Sequence, residues 1–301
     1  MVAHYKSPRK VRCGRRAHEL NASKVGVVFS SGFFGFFAHA GFLAALRDLE
    51  ITPSGYGGAS SGAIIAAMAA SEMSDHAIAE MLFNLKKADF WDPDPKLSIL
   101  KSAFKLFRGY TGLLRGEGFA NLLEALPIKR IEDCPRPLVI TATNLTAQRE
   151  EIFTRGALIK AVQASGAMPM LFKPVELDGH LFVDGGIVNK APVLALADLI
   201  QPETIIVHFI TSDNLVGGEN ILLRKTLTLW RINRLAVNIS RQEAYRRQCD
   251  LVRERGIRVF EIRTDAPSVG PNSLQKGPLV YEHAREAARG ILSIVRKEFR
   301  S

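Results

Sequence analysis

The chain is short of cysteine, of acidic charge and of apolar residues in its first two dozen positions, and each shortage narrows what it can be. Its three cysteines among 301 residues, Cys13, Cys134 and Cys249, stand far apart with no Cys-x-x-Cys pair. That spacing argues against a disulfide framework and a thiolate zinc site, and it fits a reducing compartment. Forty basic residues face thirty acidic ones, a formal net charge of +10. Such an excess favours an acidic partner: anionic lipid, nucleic acid or an acidic substrate. Charge alone does not choose among them, and solvated basic faces are the plain alternative. Residues 1–24 are basic and polar and contain no apolar h-region, so they read as a tail and not as a signal peptide. The expectation is a cytoplasmic chain with the option of peripheral membrane contact. No internal repeat, low-complexity linker or metal-ligand cluster stands out, and no cofactor is called for.

One long run does resemble a membrane span. Val25–Leu46 carries no Lys, Arg, Asp or Glu. Its interior argues otherwise. Val25–Phe29 reads as a short buried strand, Ser30-Ser31-Gly32 and Gly35 punctuate it, and Ala38–Leu46 resumes as a helix. The next block has the same grammar. Residues 51–58 lead into Ala59-Ser60-Ser61-Gly62, followed by an Ala-rich helix over 63–71. Strand, glycine turn and helix in series predict an α/β fold, a three-layer α/β/α sandwich with a mainly parallel central sheet. Further strands are expected at 137–145, 205–210 and 257–262. Residues 72–125 read as mainly helical, interrupted at Trp91–Pro95. Long helices are expected within 219–255 and 279–300.

Gly58-Ala59-Ser60-Ser61-Gly62 is a Gly-x-Ser-x-Gly turn, which chance alone would place on the order of 0.1 times in a chain of this length. Its context raises its weight. A serine between strand and helix sits in a tight bend with its hydroxyl lifted off the sheet end, and the flanks must be small because a Cβ there would clash. The helix that follows aims its N–H groups and dipole at the site, which favours an oxyanion. Ser60 is therefore the candidate nucleophile of a serine hydrolase acting on carboxylic esters. The earlier turn, Ser31-Gly32-Phe33-Phe34-Gly35, offers backbone N–H groups for the rest of an oxyanion hole. A nucleotide-phosphate loop is disfavoured there, since Ser30 holds the first glycine position and no Gly-Lys-Ser/Thr follows.

Ester cleavage also needs a base. His208 lies inside an apolar strand, His283 on a charged helix and His180 in a hairpin. His39 reads as a helix residue near the first glycine turn. A better candidate is Asp184, in Leu181-Phe182-Val183-Asp184-Gly185-Gly186, because an Asp at a strand end followed by two glycines can approach another backbone closely.

With these motifs in place, the chain resembles the patatin-like phospholipase family. The family shows a Gly-rich oxyanion turn, a Gly-x-Ser-x-Gly elbow and an Asp-Gly-Gly/Ala motif in that order, here at 30–35, 58–62 and 184–186. The segment from Ala161 to Pro174, with Ser165, Ala167, Pro169, Phe172 and Pro174, looks like the family's Ser-x-Ala-x-Pro-x-x-Phe-x-Pro. Val188–Pro192 and Thr143-Asn144-Leu145 extend the match, which spans about 25–195. The resemblance implies a lipid acyl hydrolase of phospholipase A or esterase type. It implies a Ser60–Asp184 dyad without histidine, an acyl-enzyme, and an oxyanion held by the amides of Gly32, Phe33, Phe34 and Ser61. Gly35, Gly58, Gly62, Gly185 and Gly186 would give the close packing. The substrate would be a phospholipid or another acyl-ester lipid. With the basic tail over 1–24, the expected organisation is a patatin-like catalytic core over 25–195 and an α/β completion of the same domain over 196–301.

Three departures from the family pattern concern the first turn. It begins Ser30-Ser31-Gly32 where the family has glycines, Phe34 stands where the family carries Arg or Lys, and Gly35 to Gly41 is one residue longer. Asn144 replaces an Asp read as structural. Residues 96–110 are basic and amphipathic, suited to an interfacial helix on anionic lipid or to a core helix with a solvated face. Residues 220–255 carry nine Lys/Arg against three acidic residues. No nucleic-acid fold accompanies them, so a solvated or lipid-facing surface is the preferred reading. The alternatives to the hydrolase are a His-dependent α/β-hydrolase and a catalytically degenerate membrane-binding protein. Transfer of the acyl group to an alcohol would use the same residues.

Overall fold

The structure, a computed structural model, describes residues 24–95, 111–210, 229–264 and 269–298. Most of the basic tail, the amphipathic segment 96–110 and the first part of the basic 220–255 stretch lie outside the described residues. The strands are β1 (Val25–Phe29), β2 (Gly55–Ala59), β3 (Gly112–Leu114), β4 (Leu138–Asn144) and β5 (Arg149–Phe153), then β6 (Met170–Phe172), β7 (Val175–Leu177), β8 (His180–Val183), β9 (Thr204–Phe209) and β10 (Arg258–Arg263). The principal helices are α1 (Phe36–Asp48), α2 (Ser61–Ala70), α3 (Asp75–Phe83), α4 (Glu117–Leu123), α5 (Leu158–Gly166), α6 (Val193–Ile200), α7 (Leu229–Glu254) and α8 (Gly277–Glu298).

The main sheet runs β10-β9-β1-β2-β4-β8-β7, with β5 also paired to β4. The stretch from β10 to β4 is parallel throughout. β5, β7 and β8 are antiparallel additions at one side. Helices cover both faces, so the central strands are apolar on both sides. In β1, Val25, Val27 and Phe29 enter a core shared with α1, α2, α3 and α8. Val28 turns the other way, to Val139, Ile205 and Val207 beneath α6 and α7. This is the mixed α/β, mostly parallel architecture that the strand–turn–helix pattern predicts.

The uncharged run Val25–Leu46 is thus a strand and a helix, buried between protein layers. Its lack of charge comes from burial on every side: all of Phe36 to Leu46 is buried. α8 seals this layer with Tyr281, Ala284, Ala288, Leu292 and Val295, spaced at three and four residues along one face. The two helices meet closely at Gly41, where an added Cβ would lie 2.1 Å from the Tyr281 carbonyl oxygen. Among the described residues, no helix is long and apolar enough to cross a membrane.

The expectation for 72–125 needs correction. α3 and α4 are helical, and the break at Trp91–Pro95 is present, but Gly112–Leu114 is a strand. It pairs in parallel with β6, from beyond α5. Three residues are too few to display an alternation, and the partner that makes them a strand is remote in the chain.

Candidate active site

Ser60 stands between the last residue of β2 and the first of α2, at φ 54° and ψ −122°. A non-glycine residue rarely adopts this conformation, and the surroundings hold it there. A Cβ at Gly62 would lie 2.3 Å from the Phe29 carbonyl oxygen, and one at Gly58 would lie 2.4 Å from that of Gly62. The small flanks of the turn are therefore a packing requirement. The Ser60 N–H donates to Ser165 Oγ at 2.8 Å. Ser165 lies on α5, is fully buried, and thereby fixes the bend. In the sequence Ser165 stands inside the family-like segment 161–174 with nothing to mark a role of its own.

Asp184 follows β8 and faces that turn. Its Oδ2 accepts from Ser60 Oγ at 2.5 Å, and its Oδ1 accepts from the Gly186 N–H at 2.7 Å. Its backbone is pinned too. Thr143 Oγ1 donates to the Asp184 carbonyl at 2.8 Å, and the Asp184 N–H donates to Ala167 O at 2.9 Å. Gly185 and Gly186 allow the approach: Cβ atoms there would fall 2.0 Å from Thr141 O and 2.4 Å from Ser31 Oγ. Burial pushes the carboxyl up from 3.8 to about 6, although the Ser60 and Gly186 hydrogen bonds and the Arg241 charge pull it down. A carboxylate poised near neutrality can take a proton from the serine and return it.

The first turn closes over the same place. Ser31 N–H donates to Lys190 O at 2.8 Å, and Gly35 N–H donates to Gly32 O at 2.9 Å. Among the described residues, the amides of Gly32, Phe33 and Phe34 have no acceptor. Gly35 lies against the elbow, since a Cβ there would be 3.3 Å from Ser61 Oγ. Ser61, at the N-terminus of α2, completes the ring of candidate donors. Phe34 joins Phe33, Phe36 and Phe90 in an aromatic cluster. The position that carries a cation in the family pattern thus serves here as apolar wall.

That wall belongs to a cleft that reaches Ser60. Gly32, Phe33, Phe34 and Ser61 line its inner end, and Ile64, Met68, Met81, Leu85, Phe119 and Leu171 are among the apolar residues beyond. Its largely apolar lining suits an acyl chain, with the polar groups gathered at the serine.

No described histidine touches Ser60 or Asp184. His39 and His208 are both fully buried and meet through their Nδ1 atoms at 2.7 Å. His39 Nε2 contacts Ser30 O at 2.8 Å, and His208 Nε2 contacts Thr264 Oγ1 at 2.8 Å. A carbonyl can only accept, so the pattern has one solution with both rings neutral. Thr264 donates to His208, His208 donates to His39, and His39 donates to Ser30. Burial keeps both uncharged, with His39 lowered to about 3 and His208 well below its ordinary value. The pair props the first turn from behind. His180 contacts Asn144, and His283 and His76 are exposed. Asn144 accepts from the Ala147 N–H and donates to Glu151, tying the end of β4 to the turn that follows it.

Two cations near the site escape sequence reading. Lys190 is fully buried, with Nζ 4.6 Å from the Phe209 ring centre. Burial, then the charges of Arg241 and Arg263, bring its amine down to about 7. Arg241, on α7, donates from Nη1 to Gly186 O at 3.0 Å. Nothing in the sequence distinguishes it from Arg246, Arg247 and Arg253 of the same helix, which are exposed.

The patatin-like phospholipase family model matches residues 27–197 of this chain. An uncharacterized NTE family protein of Mycobacterium tuberculosis is 29% identical over 194 residues, covering 64% of this chain and 51% of that protein. The patatin-like phospholipase domain-containing protein 7 of Rattus norvegicus is 32% identical over 183 residues, covering 59% of this chain and 13% of that protein. The chain thus spans about half the length of the mycobacterial relative and a small part of the rat one. Among solved structures, VipD from Legionella pneumophila shares the fold with a TM-score of 0.50 at 16% identity, covering 91% of this chain and 67% of that one.

Proposed function

The chain belongs to the patatin-like phospholipase family, and from that premise we propose that it is a lipid acyl hydrolase working through a Ser60–Asp184 dyad. The observation that carries this reading is the 2.5 Å hydrogen bond from Ser60 Oγ to Asp184 Oδ2, made at a strained turn that opens on an apolar cleft. Ser60 Oγ attacks the ester carbonyl while its proton passes to Asp184 Oδ2. The tetrahedral oxyanion lies against the amides of Gly32, Phe33, Phe34 and Ser61. Collapse expels the alcohol, which takes the proton from Asp184. Water then attacks the acyl-enzyme, gives its proton to Asp184, and the carboxylic acid leaves as Ser60 is re-protonated. The apolar cleft holds the acyl chain, and a phospholipid or another acyl-ester lipid is the substrate.

Turnover of a p-nitrophenyl acyl ester by the wild type, Ser60→Ala and Asp184→Asn tests the dyad. Each substitution is expected to lower kcat by about 10³-fold or more. Wild-type rates in either variant refute the reading. Labelling of Ser60 by a fluorophosphonate, located by mass spectrometry, separates the hydrolase from a degenerate lipid-binding protein, which would bind liposomes without being labelled.

A further inference from the structure

Arg241 is half-buried on α7, and its guanidinium is aimed. Nε donates to Oδ1 of the buried Asn238 at 2.9 Å, and Nη1 donates to Gly186 O at 3.0 Å. The N–H of the same Gly186 holds Asp184 Oδ1. Among the described residues, Arg241 makes no ion pair at salt-bridge distance, unlike Arg246, Arg247 and Arg253 nearby. A partly desolvated cation without a carboxylate partner is costly unless an anion lies within reach of its field. Asp184 is that anion: the two charges act on each other in both directions.

We propose that Arg241 is a positioning residue for the Ser60–Asp184 pair, clamping through its carbonyl the residue, Gly186, whose N–H orients the carboxylate, and supplying the positive charge that favours its ionised form. The inference rests on the dyad reading of the preceding section. It also accounts for Phe34. The cation missing from the first turn is provided by a different element, to the base and not to the oxyanion.

Few other charged or titratable groups face this turn. Ser60 approaches from the β2–α2 elbow. Glu150 of β5 is occupied by Thr141 Oγ1 at 2.8 Å and Asn189 Nδ2 at 2.7 Å. Lys190 feels the charges of both Arg241 and Arg263, and Arg263 is paired with Glu261. None of these replaces the Arg241 clamp on Gly186.

The test is the pH dependence of kcat/KM for a p-nitrophenyl acyl ester. In R241Q the acid limb moves up by about one pH unit, the response expected when a neighbouring opposite charge is removed from a carboxylate. At pH 6 this lowers kcat/KM about fivefold through protonation alone. In R241K the limb returns to within a few tenths of a unit of wild type, while the plateau stays low because an ammonium lacks the planar fork. A purely structural role would lower the plateau and leave the limb in place. N238D keeps Arg241 but gives it a carboxylate partner, and its limb also moves up, which serves if R241Q does not fold. An unmoved limb in R241Q, or in N238D where R241Q is unfolded, overturns the inference. Activity surviving in S60A or D184N would sink the dyad itself, whatever Arg241 does.

Discussion

Replacing Asp184 by Asn should destroy activity and make the protein more stable, and the size of the gain follows from the site. The carboxyl has an ordinary value of 3.8 and stands at about 6 in the fold. Each pH unit of difference is worth about 1.4 kcal/mol, so carrying the ionised group costs the fold about 3 kcal/mol at pH 8. The sign follows from proton binding. Between 3.8 and about 6 the folded protein holds a proton that the unfolded chain has released. The favourable contribution is therefore fully present below 3.8 and is lost as pH rises through about 6. An amide carries no charge and keeps the shape. Its oxygen accepts from the Gly186 N–H and its NH₂ donates to Ser60 Oγ. Asp184→Asn should then exceed the wild type by about 3 kcal/mol at pH 8, by about half that at pH 5, and by little near pH 4. Urea unfolding followed by circular dichroism at those three pH values measures it. A variant that is less stable than wild type at pH 8, or an advantage that does not shrink toward pH 4, refutes the reasoning.

Two further predictions concern the elbow and the cleft. Gly62→Ala drives a Cβ to 2.3 Å from Phe29 O, a backbone atom that cannot step aside; the loss should reach about 3 kcal/mol, read as a lower urea midpoint. Met81→Trp narrows the cleft from α3, and the ratio of kcat/KM for long-chain over short-chain p-nitrophenyl esters should fall about tenfold while Ser60 stays reactive to a fluorophosphonate; an unchanged ratio would remove the acyl chain from this cleft.

The parts of the fold legible in the sequence are those whose cause is local. β1 and β9 are apolar on both faces because helices cover both, and a short apolar run bounded by small residues shows this without its partner. The elbow is legible for the same reason: the glycines that let Ser60 bend lie within two residues of it. Asp184 is legible because Gly185 and Gly186 announce a close backbone approach. The illegible parts are made by distant partners. Ser165 matters because it meets Ser60 across 105 residues, and a buried serine on a helix looks like any other. β3 is a strand only because β6 lies beside it. The His39–His208 chain joins positions 169 residues apart. His208 alone reads as a packed core histidine, which it is, while its service to the first turn is visible only from its neighbours. Arg241 is hidden by its company, one arginine of several on a basic helix, distinguished only by the direction it faces.

The order β2-β4-β8 has a consequence for how activity arises during folding. Ser60 follows β2, Asp184 follows β8, and both strands pair with β4. The two residues are 124 apart in the chain, and no local hairpin brings them together. β4 must first dock in parallel on β2, and β8 must then add in the opposite direction further along the same edge of β4, whose other edge β5 holds. Loop closure of this length is slow relative to helix formation. A partly folded chain can therefore hold a finished elbow and a structured α2 while having no base. Esterase activity during refolding should lag behind the recovery of helical circular dichroism, and that lag times the arrival of β8 on the sheet.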